Sequence, residues 1–189
     1  KIRVIFGTSE ESGMEDMEYY FSKEPVPDLG FSPDANYPII NKEKGILHIC
    51  LEKGVSIDNK GDYPIKKLWG GEVVNMVPPE CRTFIPEADL GPDELERLRE
   101  RANEYNTSMG KQLIEVTFTA GKGVEVLARG KSAHGASPQE GSNAIYRMLD
   151  FLSFSGANRY INEFLDFIYK KIGDETTGKS LGISLSDEE

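Results

Sequence analysis

The chain has 189 residues, enough for one good-sized domain or two small ones, and its 38% hydrophobic and 10% aromatic content is ordinary for a soluble globular protein. A formal charge of −10 argues against nucleic acid, which would need a basic patch, and against docking on anionic membranes. No run approaches the ~18 apolar residues of a membrane span. Cys50 and Cys81 are too few for a disulfide framework, so a reducing cytoplasm is the expected location, and both read as small buried hydrophobes.

Residues 2–6 (Ile-Arg-Val-Ile-Phe) read as a buried strand ended by Gly7-Thr8. Such a strand cannot bury both faces alone, so the chain is expected to be cut from something longer. Ser12 followed by Glu15 is a capping-box pattern that opens a helix through about Phe21. Pro25, Pro27, Gly30 and Pro33 then mark an irregular stretch reaching Pro38.

From Gly45 the texture changes. Ile46–Leu51 reads as a strand, with β-prone pieces following at Lys66–Trp69, Glu72–Val77 and Cys81–Ile85. Gly91-Pro92-Asp93-Glu94 is a helix start. Leu95, Leu98, Ala102 and Tyr105 then give that helix an apolar face as far as Gly110. Ile114, Val116 and Phe118 alternate with polar residues, as do Val124, Val126 and Ala128, and Ala120–Gly123 lies between them, so a β-hairpin is expected. Helical patterns follow at Gly141–Leu152 and at Tyr160–Ile168, the second stopping at Gly173, and a polar tail runs from Asp174 to Glu189. This order predicts an α+β fold, a ferredoxin-like antiparallel sheet with helices on one face, beside a short strand-helix strip of an α/β domain. The division falls between residues 1–44 and 45–189.

Two motifs carry chemistry. Gly7-Thr8-Ser9-Glu10-Glu11-Ser12-Gly13 places adjacent carboxylates after a strand, where they repel unless a positive charge lies beside them. A divalent ion would supply that charge and leave one carboxylate free to accept a proton. On spacing alone, a solvated acidic turn feeding the helix dipole is the more ordinary reading. Asp34, on a loop set by Pro33, is a further oxygen donor or simply a turn aspartate. In Gly130-Lys131-Ser132-Ala133-His134-Gly135-Ala136-Ser137-Pro138, a histidine stands among small residues between a strand and a helix, where it can serve as a hydrogen-bond donor or be an ordinary surface residue.

The runs GKSAHGASPQEGSNA, GTSEESGMEDMEYYF, FSPDANYPIINKEKG and GGEVVNMVPPE together closely resemble the bacterial cytosolic dipeptidases. These belong to a family of dinuclear metallopeptidases that includes carnosinases, aminoacylases and succinyl-diaminopimelate desuccinylases. The resemblance implies hydrolysis of a dipeptide substrate with two divalent metal ions, zinc first and manganese second. It matches Glu10 to the general base that activates the attacking water, Glu11 to a ligand of one metal, and Asp34 to a ligand of the other. His134 matches a lid histidine that stabilises the oxyanion, and Asn75 matches a lid asparagine that helps to hold the substrate. Residues 1–44 would then be part of the metal-binding domain and 45–189 part of a lid.

The family pattern also requires two histidine ligands, a bridging aspartate and a substrate-binding arginine. The chain has only His48 and His134. His48, in an apolar strand, reads as structural, so a complete site is not expected here and the chain alone is expected to be inactive. Trp69 and the tyrosines read as packing residues. Two other readings stand beside this one: a non-catalytic ferredoxin-like module that self-associates, and a deacylase or desuccinylase with the same chemistry. Residues 1–44 tell against the first, and the enlarged lid against the second.

Overall fold

The computed structural model describes residues 2–10, 13–33, 40–41, 45–52, 65, 67–154 and 163–182. The chain divides into two units, Lys1–Ile49 and Cys50–Glu189.

Among the described residues of the first unit the helix is α1, Glu15–Lys23. Its acidic first turn and Lys23 in the last turn both complement the helix dipole. The reciprocal bonds at its start join Ser9 and Asp16. The Asp16 amide donates to Ser9 Oγ at 3.1 Å, while the Asp16 carboxylate accepts from the amides of Thr8 and Ser9. Met14 occupies the cap position in a left-handed conformation without a side-chain bond, and Ser12 lies outside the described residues. The expected helix is therefore present, and among the described residues Ser9 and Asp16 fasten its start. The expected strand at 2–6 is not: Ile2, Val4 and Phe6 are exposed and form no ladder. An extended apolar run becomes a strand only when another strand takes up its N–H and C=O groups.

In the second unit, β1 (Lys67–Gly70), β2 (Glu80–Pro86), β3 (Ile114–Thr119) and β4 (Gly123–Arg129) form an antiparallel sheet of order β1-β2-β4-β3. Helix α2, Glu94–Met109, connects β2 to β3, and α3, Ala144–Phe154, follows β4. The β2-α2-β3-β4-α3 path places β4 between β2 and β3, as in a ferredoxin-like split βαβ unit. A last helix, α4 (Glu163–Phe167), runs on through a π turn at Ile168–Ile172 and ends at Gly173.

The register sorts the side chains. Cys81 stands opposite Ala128, Thr83 opposite Val126 and Ile85 opposite Val124, with Ile114, Val116 and Phe118 continuing those rows on β3. Because side chains alternate along a strand, these share one face. Leu98, Ala102 and Tyr105 of α2 and Met148, Phe151 and Leu152 of α3 close over it in one buried cluster. Each fully buried large side chain contributes roughly 1.5–3 kcal/mol, so this layer is what holds the unit together. The other face carries charge: Arg82 pairs with Glu125 at 2.9 Å and Glu80 at 3.0 Å, and Arg129 with Glu115 at 2.8 Å. Trp69 belongs to that face, with the Lys67 ammonium 4.7 Å from its ring centre, rather than to the core.

Between α2 and β3 one side chain does the work of a ladder. Asn106 Oδ1 accepts from the amides of Leu113 and Ile114, and its Nδ2 donates to the Ile114 carbonyl at 2.8 Å. Ile46–Leu51, expected as a strand, forms none; His48 and Cys50 are exposed there, so His48 is not a strand-buried structural histidine and Cys50 is not the buried hydrophobe expected. Cys81 is buried as expected, and burial pushes its thiol up to about 12. Among the described residues no helix is long and apolar enough to cross a membrane.

Candidate functional site: the Asn75–His134 junction

Three stretches converge at the end of the sheet where β2 begins and β4 ends. The first is Asn75–Pro79. Val77 N–H donates to the Ala133 carbonyl at 2.8 Å, and Gly135 N–H donates to the Asn75 carbonyl at 2.6 Å. These two bonds form an antiparallel bridge in which Met76 faces His134. Asn75 and His134, distant in sequence, thus lie one residue apart across a backbone pair.

Pro78 and Pro79 have no N–H to offer, and the fold uses only their carbonyls: Pro79 accepts from Gly130 at 2.7 Å and Pro78 from Ala144 at 3.0 Å. The glycines of the histidine motif serve the same closeness. A Cβ on Gly135 would lie 2.9 Å from the Asn75 carbonyl oxygen, and one on Gly130 would lie 2.1 Å from that of Ser142. Only residues without side chains let these strands meet.

From Lys131 to Ser142 the chain makes a closed loop, its ends paired by two backbone bonds of 2.9 Å each. Inside it the Ser137 amide donates to the His134 carbonyl, and Pro138–Glu140 form a 3-10 turn. Asn143 then caps α3, its Oδ1 accepting from the amides of Ile145 at 2.9 Å and Tyr146 at 3.2 Å. The helix therefore begins later than the apolar periodicity at Gly141 suggests.

His134 is exposed, and the Ala136 amide donates to its Nδ1 at 3.1 Å. A neutral imidazole that accepts at Nδ1 carries its proton on Nε2. The backbone thereby selects the tautomer with a donor on the free edge of the ring. A groove of about 330 Å³, lined by Trp69, Val73, Met76, Val77, Arg82 and Ser132, shares Met76 and Val77 with the bridge.

Glu10 stands in the first unit, exposed, on the turn where Met14 N–H donates to the Ser9 carbonyl at 2.8 Å. Glu11 and Asp34 lie outside the described residues. Among the described residues no three His, Cys, Asp or Glu side chains gather as a metal would require. The residues described here do not by themselves make a metal centre. Sequence reasoning singled out His134 and Asn75 separately. It missed that their backbones bond to each other, for which the paired prolines and the motif glycines were the available signal.

No protein-family model matches the chain. Among curated proteins it is similar to the Beta-Ala-Xaa dipeptidase of Lactobacillus delbrueckii subsp. lactis, 33% identical over 193 residues that take in 100% of this chain and 38% of that protein. A provisionally named dipeptidase of Staphylococcus haemolyticus is 30% identical over 188 residues, covering 97% of this chain and 38% of its own length. The provisionally named dipeptidase YtjP of Bacillus subtilis is 31% identical over 199 residues, covering 100% and 39%. The chain thus spans under two fifths of the length of these relatives and, along essentially all of its own, is similar to proteins that carry dipeptidase names.

Proposed function

We propose that this chain is part of a metal-dependent dipeptidase of the cytoplasm, contributing a general base from its first unit and an oxyanion donor from its second. The observation that carries the reading is the junction itself. The two lid residues that the motifs single out come together in one backbone bridge, with the imidazole proton held on its outward nitrogen. The similarity to dipeptidases over the whole chain supports the same substrate class.

Peptide hydrolysis needs a polarised carbonyl, an activated water and a donor to the developing oxyanion. Divalent ions, zinc or manganese, would supply Lewis acidity for the first two. Glu11 and Asp34 would be ligands, and the rest of the donor set would come from outside these 189 residues. Glu10, exposed in the first unit, takes the proton from the attacking water. His134 Nε2–H donates to the oxyanion as charge builds on it. Asn75, beside His134, orients the substrate.

The test is hydrolysis of a β-alanyl dipeptide by the complete natural polypeptide. Turnover should be abolished by a chelator and restored by zinc or manganese, and the 189-residue chain alone should show none. Cleavage of N-acyl amino acids but not of dipeptides would overturn the reading in favour of a deacylase.

A further inference from the structure

The His134 loop is pinned at its tip by the bridge to Asn75–Val77, and at its base by the Lys131–Ser142 pair. A side chain from α3 reaches the same base. Arg147 Nη1 donates to the Arg129 carbonyl, just before the loop, and Arg147 Nη2 donates to Ser142 Oγ, at its end, at 2.7 Å. A guanidinium is planar and presents its donors in a fixed fork, so it sets the separation of two acceptors in a way that a single-point donor cannot. Arg147 itself is placed by α3, whose start is fixed by Asn143 and whose buried face packs on the sheet.

We infer that Arg147 is a positioning residue for His134: its fork clasps the two ends of the Arg129–Ser142 loop and holds the imidazole at the height the Asn75 bridge requires. This rests on the catalytic reading of His134 given above. Burial pushes the Tyr105 hydroxyl of α2 and the Asp174 carboxyl up, and the nearby Arg147 charge opposes that shift at both without cancelling it. Because Arg147 belongs to α3, the clasp joins the loop to the helix layer. The pattern of apolar residues on α3 gives no hint of this role, because Arg147 reads there as a solvated position.

The test is a double-mutant cycle in the complete natural polypeptide, with a β-alanyl dipeptide as substrate and hydrogen exchange of the 75–77 and 131–137 segments as a second readout. Arg147→Met should lower kcat between about tenfold and a hundredfold, the scale of a small misplacement of a catalytic group. KM should change less than about twofold, and amide exchange should speed up at Val77 and Gly135. In a His134→Ala background the same substitution should cost almost nothing further, because its effect runs through the imidazole. An equal loss in both backgrounds, or unchanged exchange, overturns the inference. Should Arg147→Met fail to fold, Ser142→Ala removes one arm of the clasp alone and is judged by the same two readouts. Should His134→Ala itself leave turnover unchanged, the catalytic reading of His134 falls, and exchange at Val77 and Gly135 alone decides for or against the clasp.

Discussion

At Gly130 an added Cβ would sit 2.1 Å from the Ser142 carbonyl oxygen, and at Gly135 it would sit 2.9 Å from that of Asn75. The first cannot be relieved without parting the Lys131–Ser142 pair. The second, also against a backbone oxygen, requires the bridge that places His134 to move. Gly130→Ala should therefore destabilise the second unit by about 1–3 kcal/mol, the usual cost of overpacking, seen as a lowered denaturation midpoint. Gly135→Ala should lower the midpoint by less than Gly130→Ala does and lower kcat as well. The adjacent glutamates separate in the same manner. Glu10→Gln removes only a proton acceptor and should abolish most turnover with metal content intact, whereas Glu11→Gln should lower metal content as well. Metal analysis of the two variants checks this, and equal metal loss in both would reverse the assignment of base and ligand.

Among the elements, helix α1 is fastened by Asp16, whose carboxyl is held at about 2 by the hydrogen bond from Ser9 first and by the amide of Thr8 next. A depressed carboxyl contributes stability that is complete above its unfolded value, about 4, and is lost as pH falls through its folded value. The Ser9–Asp16 clamp should therefore persist at pH 5 and release between about 4 and 2, read from the amide shifts of Thr8 and Ser9. Release centred above pH 5 would contradict it. In the second unit, Tyr105 of α2 and Tyr169 beyond α4 both donate to Asp150 of α3 at 2.7 Å. Tyr105→Phe keeps the edge-on contacts with Phe151 and Phe154 but loses that bond. It should cost about 1.5–3 kcal/mol, as for a bond to a charged group, in chemical denaturation.

Most elements of the second unit were readable because their signals are local, although Glu72–Val77, read as β-prone, forms turns and a single bridge instead of a strand. The hairpin alternates on each side of Gly121-Lys122, and α2 repeats its apolar residues until Gly110, which caps it in the left-handed conformation. Residues 2–6 and 46–51 carry equally apolar runs, yet neither forms a strand, because strand character depends on a pairing partner that a run of side chains does not specify. Met14 at the cap of α1 shows the same limit in a helix, since Ser9 reaches the helix from outside the usual capping spacing. The site was half legible for a related reason. Motif identity pointed to His134 and Asn75, but the bonds that unite them run through the carbonyls of Asn75 and Ala133, which no residue type announces.

Taken whole, the molecule offers an acidic turn in one unit and a tautomer-selected imidazole in the other. As proposed, the second unit supplies an oxyanion donor rather than a mere cover. The most direct measurement is steady-state hydrolysis of a β-alanyl dipeptide by the complete natural polypeptide carrying His134→Ala, with metal content assayed on the same samples. Loss of one oxyanion donor should lower kcat by about 10²–10³, with KM little changed and metal content equal to that of the unaltered protein. Near-normal kcat, or a fall that follows loss of metal, would show that His134 is not that donor.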